Sequence, residues 1–336
     1  MADTKKKLDF GSLIRRPEFG AFVGLLVIYI FFAVMGGSDF TAIGGTASWL
    51  NISCELGVIA LPVALIMIAG DLDLSVGSTL AAGGMTTAIL SGYWHLPTEV
   101  GVFVGLSFGF LIGLINGLII TKTNLPSFIV TLATNLAVFG LVLGTSKLIT
   151  GTVAVSIVPD KFSKTILGRM MFGQIESAFL IWVLSALIVS WILYKSPWGN
   201  WVYAIGGDQT SARLTGIPVD KVRLWLFIAS GFSASLIGVM QTVLYGSAQV
   251  NAGQSFVFNS IIAVVVGGVL LTGGYGSTIG VILGTMTYSI VNQGIYYTGW
   301  DSDWANLILG VLLLIAVLTN NTFRKLAISG RKKKEA

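Results

Sequence analysis

Apolar runs of roughly twenty residues, separated by short polar, proline or glycine-rich stretches, recur from residue 19 to residue 320. A helix rises about 1.5 Å per residue, so about 20 apolar residues cross a hydrocarbon core of about 30 Å. The runs predict spans at 19–37, 49–70, 74–94, 99–121, 125–147, 177–195, 223–246, 259–273, 277–297 and 303–320. The pattern therefore predicts an all-α polytopic membrane protein of about ten transmembrane helices. Its single transmembrane domain, 19–320, lies between a polar tail, 1–18, and a basic tail, 321–336. The run 259–273 is short for a crossing and predicts a broken or partly re-entrant helix. Two stretches do not read as spans: 148–176, with Pro159 and Asp160, and the polar segment 196–222.

Composition agrees with this pattern. Apolar residues make up 54% of the 336 residues and charged residues 10%, against about 25% charged in soluble domains. The mean hydropathy is +0.85. A soluble enzyme and a disordered chain are both excluded, the latter because it needs high charge and low hydrophobicity. The 42 glycines follow no Gly-X-Y period, which excludes collagen. The net charge of +5 is no nucleic-acid footprint, because its basic residues flank apolar segments. They gather at Lys5, Lys6, Lys7, Arg15 and Arg16, and again from Arg324 to Lys334. An even number of spans puts both termini on one side. With both cytoplasmic, 16 Lys/Arg fall inside, including Lys122, Lys195, Arg213, Lys221 and Arg223. Four fall outside: Lys147, Lys161, Lys164 and Arg169. That bias fits the positive-inside rule. On this orientation 148–176 is periplasmic and 196–222 cytoplasmic. The first apolar run lacks a small-residue cleavage site and reads as a retained span. Trp49, Trp94, Trp182, Trp191, Trp225, Trp300 and Trp304 fall near span ends, as interfacial anchors do.

Catalytic signatures are missing. The chain has no G-x-x-x-x-G-K-[ST] phosphate cradle and no H-E-x-x-H. One histidine, His95, and one cysteine, Cys54, cannot build a metal site or a disulfide. No cofactor is implied, and no lipid-anchoring motif is visible.

What remains is local. Gly70–Ser78 reads GDLDLSVGS and places Asp71 and Asp73 within a long apolar stretch. A mid-bilayer acid costs about 2.5–3.5 kcal/mol on insertion scales. These acids therefore lie near an interface, line a wet pathway, or cap a helix; Asp73 and Ser75 are placed to cap the following span. Gly273–Ser277 (GGYGS) interrupts the second half in the same way, as glycine-broken pairs do in many transporters. Gly101, Gly105, Gly109, Gly113 and Gly117 recur every four residues, as do Gly276, Gly280 and Gly284. Small residues at this spacing let helix backbones approach closely, and intrachain packing is favoured over dimerisation. In Gly206–Arg223, Asp208 is placed as an N-cap, Gln209–Thr215 spans about two turns, and Gly216 and Pro218 end the helix. That helix is either an ordinary interfacial helix or a docking element. Polar residues within spans, Glu55, Asn116, Asn135, Gln241, Tyr288, Asn292 and Gln293, suit an uncharged hydroxylated ligand or bonds between helices.

Four stretches together resemble the permease subunits of bacterial carbohydrate-type ABC importers, which serve ribose, arabinose, galactose, xylose, rhamnose and autoinducer-2. They are LPVALIMIAGDLDLSVGS at 61–78, GLINGLIITKTNLPSFIVTLAT at 113–134, YAIGGDQTSARLTGI at 203–217 and VVVGGVLLTGGYGSTIGVILG at 264–284. The resemblance runs through about 48–318. It implies a multi-pass protein of the bacterial inner membrane that pairs with a second permease, identical or related. Two ABC ATPase subunits and a periplasmic substrate-binding protein would complete the importer. It also implies that Gly206, Gly207, Asp208, Ala212, Arg213, Leu214 and Gly216 form the ATPase-coupling element. Asp71, Asp73, Ser75, Asn116, Asn135 and Asn292 are the pathway candidates. Asp71 stands where the family often has glycine, and Gln209, Thr210 and Ser211 stand where acidic residues and alanine are common. Related permeases also carry branched-chain amino acids or nucleosides. Two other classes compete: an ion-gradient-driven transporter built on Asp71, Asp73 and Glu55, and a membrane scaffold built on the glycine ladders.

Overall fold

The computed structural model describes residues 17–123, 125–301, 303–311 and 314–315. Of the predicted tails, 1–16 and 321–336 lie outside the described residues, as do 312–313 and 316–320 of the last predicted span. In chain order the helices are α1 (Pro17–Met35), α2 (Gly37–Thr41), α3 (Ile43–Ile68), α4 (Val76–Ala88), α5 (Thr98–Thr123), α6 (Ser127–Thr150) and α7 (Lys161–Leu167). They continue as α8 (Ala178–Lys195), α9 (Pro197–Gly207), α10 (Gln209–Leu214), α11 (Val219–Tyr245), α12 (Gln254–Val266) and α13 (Thr278–Gly294). Residues 304–311 are also helical. A π turn, Ile89–Tyr93, extends α4. Four short strands form two antiparallel pairs: β1 (Ala154–Ser156) with β4 (Ser247–Gln249), and β2 (Met170–Met171) with β3 (Ile175–Glu176).

Six of these helices, α1, α3, α5, α6, α8 and α11, are long and apolar enough to cross a membrane. Three of the other predicted spans are shorter. α4 has 13 residues before its π turn, α12 has 13 and α13 has 17. α12 begins five residues before the predicted 259 and ends at Val266, because Gly267 and Gly268 stop it. Gln254 and Ser255 fall between the predicted spans yet lie in its first turn. α3 likewise begins at Ile43 rather than 49. Its glycine-rich first turns are held by Ser48 Oγ, which donates to the Gly45 carbonyl at 2.8 Å and lies 3.1 Å from Tyr297 Oη.

The core is built around α3 and α11. α11 packs on α4 and α5, and α3 packs on α8, α13 and α12. Gly105, Gly109, Gly113 and Gly117 face this core, and a Cβ at each would collide with Gly83, Ser235, Phe227 or Leu224 respectively. Gly280 and Gly284 of α13 meet the backbone of Gly267 and Ala263, and Gly276 meets the side chains of Ile68 and Val269. The outer faces of α5, α6 and α8 present Phe103, Leu136 and Leu187, the first 73% exposed. Polar residues such as Asn116, Thr131 and Ser230 lie inside. Apolar groups outside and hydroxyls inside suit a hydrocarbon solvent.

Trp94, Trp191, Trp225, Trp300 and Trp304 are exposed, as anchors should be. Trp49 and Trp182 are not: both are buried. Trp182 lies against Gly57, where a Cβ would overlap the indole, and Trp49 meets Tyr29 edge-on at 6.4 Å. Their place is set by helix packing rather than by an interface.

Candidate functional site

The first part of the site is the break between α3 and α4. The chain turns at Gly70 (φ +87°), and Asp71 N donates back to the Ile66 carbonyl at 3.0 Å. Residues 71–75 then run without helix through a buried environment. Non-helical backbone at such depth needs partners, and side chains supply them. Leu72 N donates to Ser127 Oγ and Leu74 N to Thr131 Oγ1, each at 3.0 Å. Ser78 N donates to Asn135 Oδ1 at 3.2 Å. The polar face of α6 thus replaces a missing turn of helix.

Each acid in the break is matched differently. Asp71 receives Nε and Nη2 of Arg223 at 2.6 and 2.7 Å, a two-point guanidinium–carboxylate contact. Asp73 is in no ion pair among the described residues. Its Oδ1 accepts from Ser75 N at 2.9 Å and Ser75 Oγ at 2.6 Å, and its Oδ2 from Ser230 Oγ at 2.7 Å. Ser75 is the N-cap of α4 but makes no side-chain cap bond; the local bond at this helix start comes from Asp73. Asn116 Nδ2 donates to Ser75 Oγ at 2.9 Å, and Thr134 Oγ1 donates to Asn116 Oδ1 at 2.7 Å.

The structure thus gathers Asp71, Asp73, Ser75, Asn116 and Asn135 around one break. Asn292 is elsewhere: it lies in α13, and its Oδ1 accepts from its neighbour Gln293 at 3.1 Å. Sequence reasoning missed Arg223, which it placed at the start of a span as an inside charge. α11 begins at Val219, so Arg223 sits one turn inside and is buried. An arginine inside an otherwise apolar helix was the available signal.

The second part is the segment after α8. Asp208 caps α10: its Oδ1 accepts from Ser211 N at 2.6 Å, and that bond holds its carboxyl below the usual range. Gly216 turns the chain at φ +84°. Within α10, Ala212 is buried while Leu214 is 84% exposed. Arg213 forks onto Asp220 at 2.8 and 2.5 Å, tying α10 to the first turn of α11.

These two parts meet. Gly274 N donates to the Ile68 carbonyl, the end of α3, at 2.8 Å. Gly206, in the last turn of α9, lies against both: a Cβ there would strike the Ile68 carbonyl and Gly274 N. A Cβ on Gly273 would strike Gly206 and Gly70. Gly207, one residue on, has open space where its Cβ would be. The glycine-broken stretches of the two halves therefore touch each other and the helix that leads into α10.

Glu55 and Gln241 also come together. Gln241 Nε2 donates to Glu55 Oε2 at 2.8 Å, and Tyr245 Oη donates to Glu176 Oε1 at 3.1 Å.

A family described as branched-chain amino acid transport system / permease component matches residues 45–317. The chain belongs to that permease family. Its relatives include the ribose import permease of Bacillus subtilis, 31% identical over 94% of this chain and 95% of the relative. The fructose import permease of Rhizobium meliloti is 29% identical over 90% of this chain and 84% of the relative. The xylose transport system permease of Haemophilus influenzae is 26% identical over 90% and 96%. No solved structure matches the chain. The break, the glycine junction and α10 of this permease all lie within the family's range.

Proposed function

We propose that this chain is the membrane-spanning subunit of an ABC importer that carries a sugar or sugar-like solute across the bacterial inner membrane. The observation that carries the reading is that relatives named for ribose, fructose and xylose align over about nine-tenths of this chain. ATP would be hydrolysed on separate subunits docked at α10. A second permease would complete the pathway, and a binding protein would deliver solute from the periplasm. Ten spans with both termini cytoplasmic would place 148–176 outside and 196–222 inside.

The geometry supplies a route for coupling. The exposed Leu214 and Arg213 offer α10 to a partner. Movement of α10 and α9 would act at Gly206, where α9 touches both broken stretches. One displacement would then reach residues 69–75 and 267–277 together. ATP binding and solute would each bias the population of pathway states. The ion-gradient alternative loses ground because the Asp71 carboxylate is occupied by a buried guanidinium.

The test is purification of the tagged chain from native membranes, followed by uptake of radiolabelled ribose, xylose and fructose into proteoliposomes. The reading expects a co-purifying ATPase and uptake that requires ATP. A chain that purifies alone and transports on an ion gradient without ATP overturns it.

A further inference from the structure

A cavity of about 330 Å³ is lined by residues of α4, α11 and β4. Pockets for small molecules start at about 300 Å³. Ala81, Gly84 and Gly238 form its apolar side, where the two glycines bring α4 and α11 into direct contact. Its polar wall is Gln241, Thr242, Tyr245, Ser247 and Gln249, and no charged side chain is among its lining residues. A zwitterionic amino acid would find no cation for its carboxylate among these residues, at high cost. A neutral solute needs none.

Behind the wall stand two buried carboxylates, Glu55 and Glu176. Gln241 gives its amide N–H to Glu55, so its carbonyl oxygen is free to accept. Tyr245 gives its hydroxyl proton to Glu176, and its oxygen likewise retains lone pairs. Thr242 Oγ1 donates to the Gly238 carbonyl at 2.7 Å and is left an acceptor. Glu176 is itself fixed, since its backbone N–H meets Asn51 Oδ1 at 3.1 Å. Gln241, Thr242 and Tyr245 thus offer acceptors, Ser247 and Gln249 carry groups that both donate and accept, and a neutral ligand rich in hydroxyls matches both.

We propose that this cavity binds a neutral polyhydroxylated solute, with Gln241 and Tyr245 as contact residues and Glu55 and Glu176 as positioning residues. The proposal rests on the importer reading and names the pathway site for its solute.

Cys54 is the sole cysteine and is buried, so a Cys54→Ser background carrying Ser247→Cys has one thiol, in the cavity wall. Native membranes bearing this protein are treated with a membrane-impermeant maleimide, with and without ribose, xylose, fructose or leucine. The proposal expects at least one sugar to slow labelling and leucine to have no effect. Gln241→Ala should raise the half-protecting concentration about tenfold, the worth of roughly one hydrogen bond. Glu55→Met should do the same, because the freed amide can rotate, while Glu55→Gln, which can still accept from it, should restore protection. A packing role for Glu55 would instead be rescued by methionine. Protection by leucine alone, protection by none of the four, or a thiol inert both here and at Ala252→Cys overturns the proposal. Co-purification of an ATPase from the same membranes reports on the importer reading separately.

Discussion

Arg223–Asp71 and Arg213–Asp220 are both two-point guanidinium–carboxylate pairs, yet their surroundings are opposite. The side chains of the first pair are 7% and 6% exposed; those of the second are 44% and 48% exposed. Charges removed from water repay their desolvation only through each other, so losing one partner of a buried pair is costly. An exposed pair is screened and its net worth is small. The buried pair joins α11 to the break after α3, and the exposed pair joins α10 to the start of α11. The fold thus spends its strong contact on holding the break and only a weak one on α10. The element proposed to meet a partner is the one a partner can reposition cheaply.

The sharpest way to break this contrast is Asp71→Ala, which leaves Arg223 buried and unpaired. It should cost about 3–5 kcal/mol, read as a large fall in the thermal unfolding midpoint in detergent. Adding Arg223→Met should recover most of that loss, and a double variant as unstable as the single one would contradict the pairing. Next, Gly206→Ala drives a methyl group into the Ile68 carbonyl. Overpacking of this kind costs about 1–3 kcal/mol; uptake should fail while Gly207→Ala, in open space, transports normally. Asp73→Ala strands two hydroxyls and one backbone N–H. It should cost about 1–3 kcal/mol, and Asp73→Asn less, both read by the same melting assay. Smallest is Arg213→Ala, expected to change stability by about 0–1 kcal/mol.

The two pairs also mark how much the chain disclosed before folding. The long apolar helices were legible because their runs exceed what any loop would carry. So was α10, since Asp208, Gly216 and Pro218 punctuate it locally. The glycine ladder was legible as a packing face, but not which helix it met. The partner of Asp71 was not legible, because 152 residues separate it from Arg223 and no local pattern links them. Glu176 escaped notice for the same reason: its role depends on Tyr245, 69 residues away. The starts of α3 and α12 were misplaced because glycine, serine and glutamine read as loop residues while tertiary packing holds them helical. Asn292 looked like its polar neighbours in composition, and only the fold separates it from them.

The most direct measurement is the number of ATP molecules hydrolysed per solute imported by the reconstituted transporter carrying Arg213→Ala. The account predicts an unfolding midpoint close to that of the unaltered protein and a clear rise in ATP spent per solute, as α10 loses its register on α11. An unchanged ratio at unchanged stability would contradict the assignment of α10 as the coupling element.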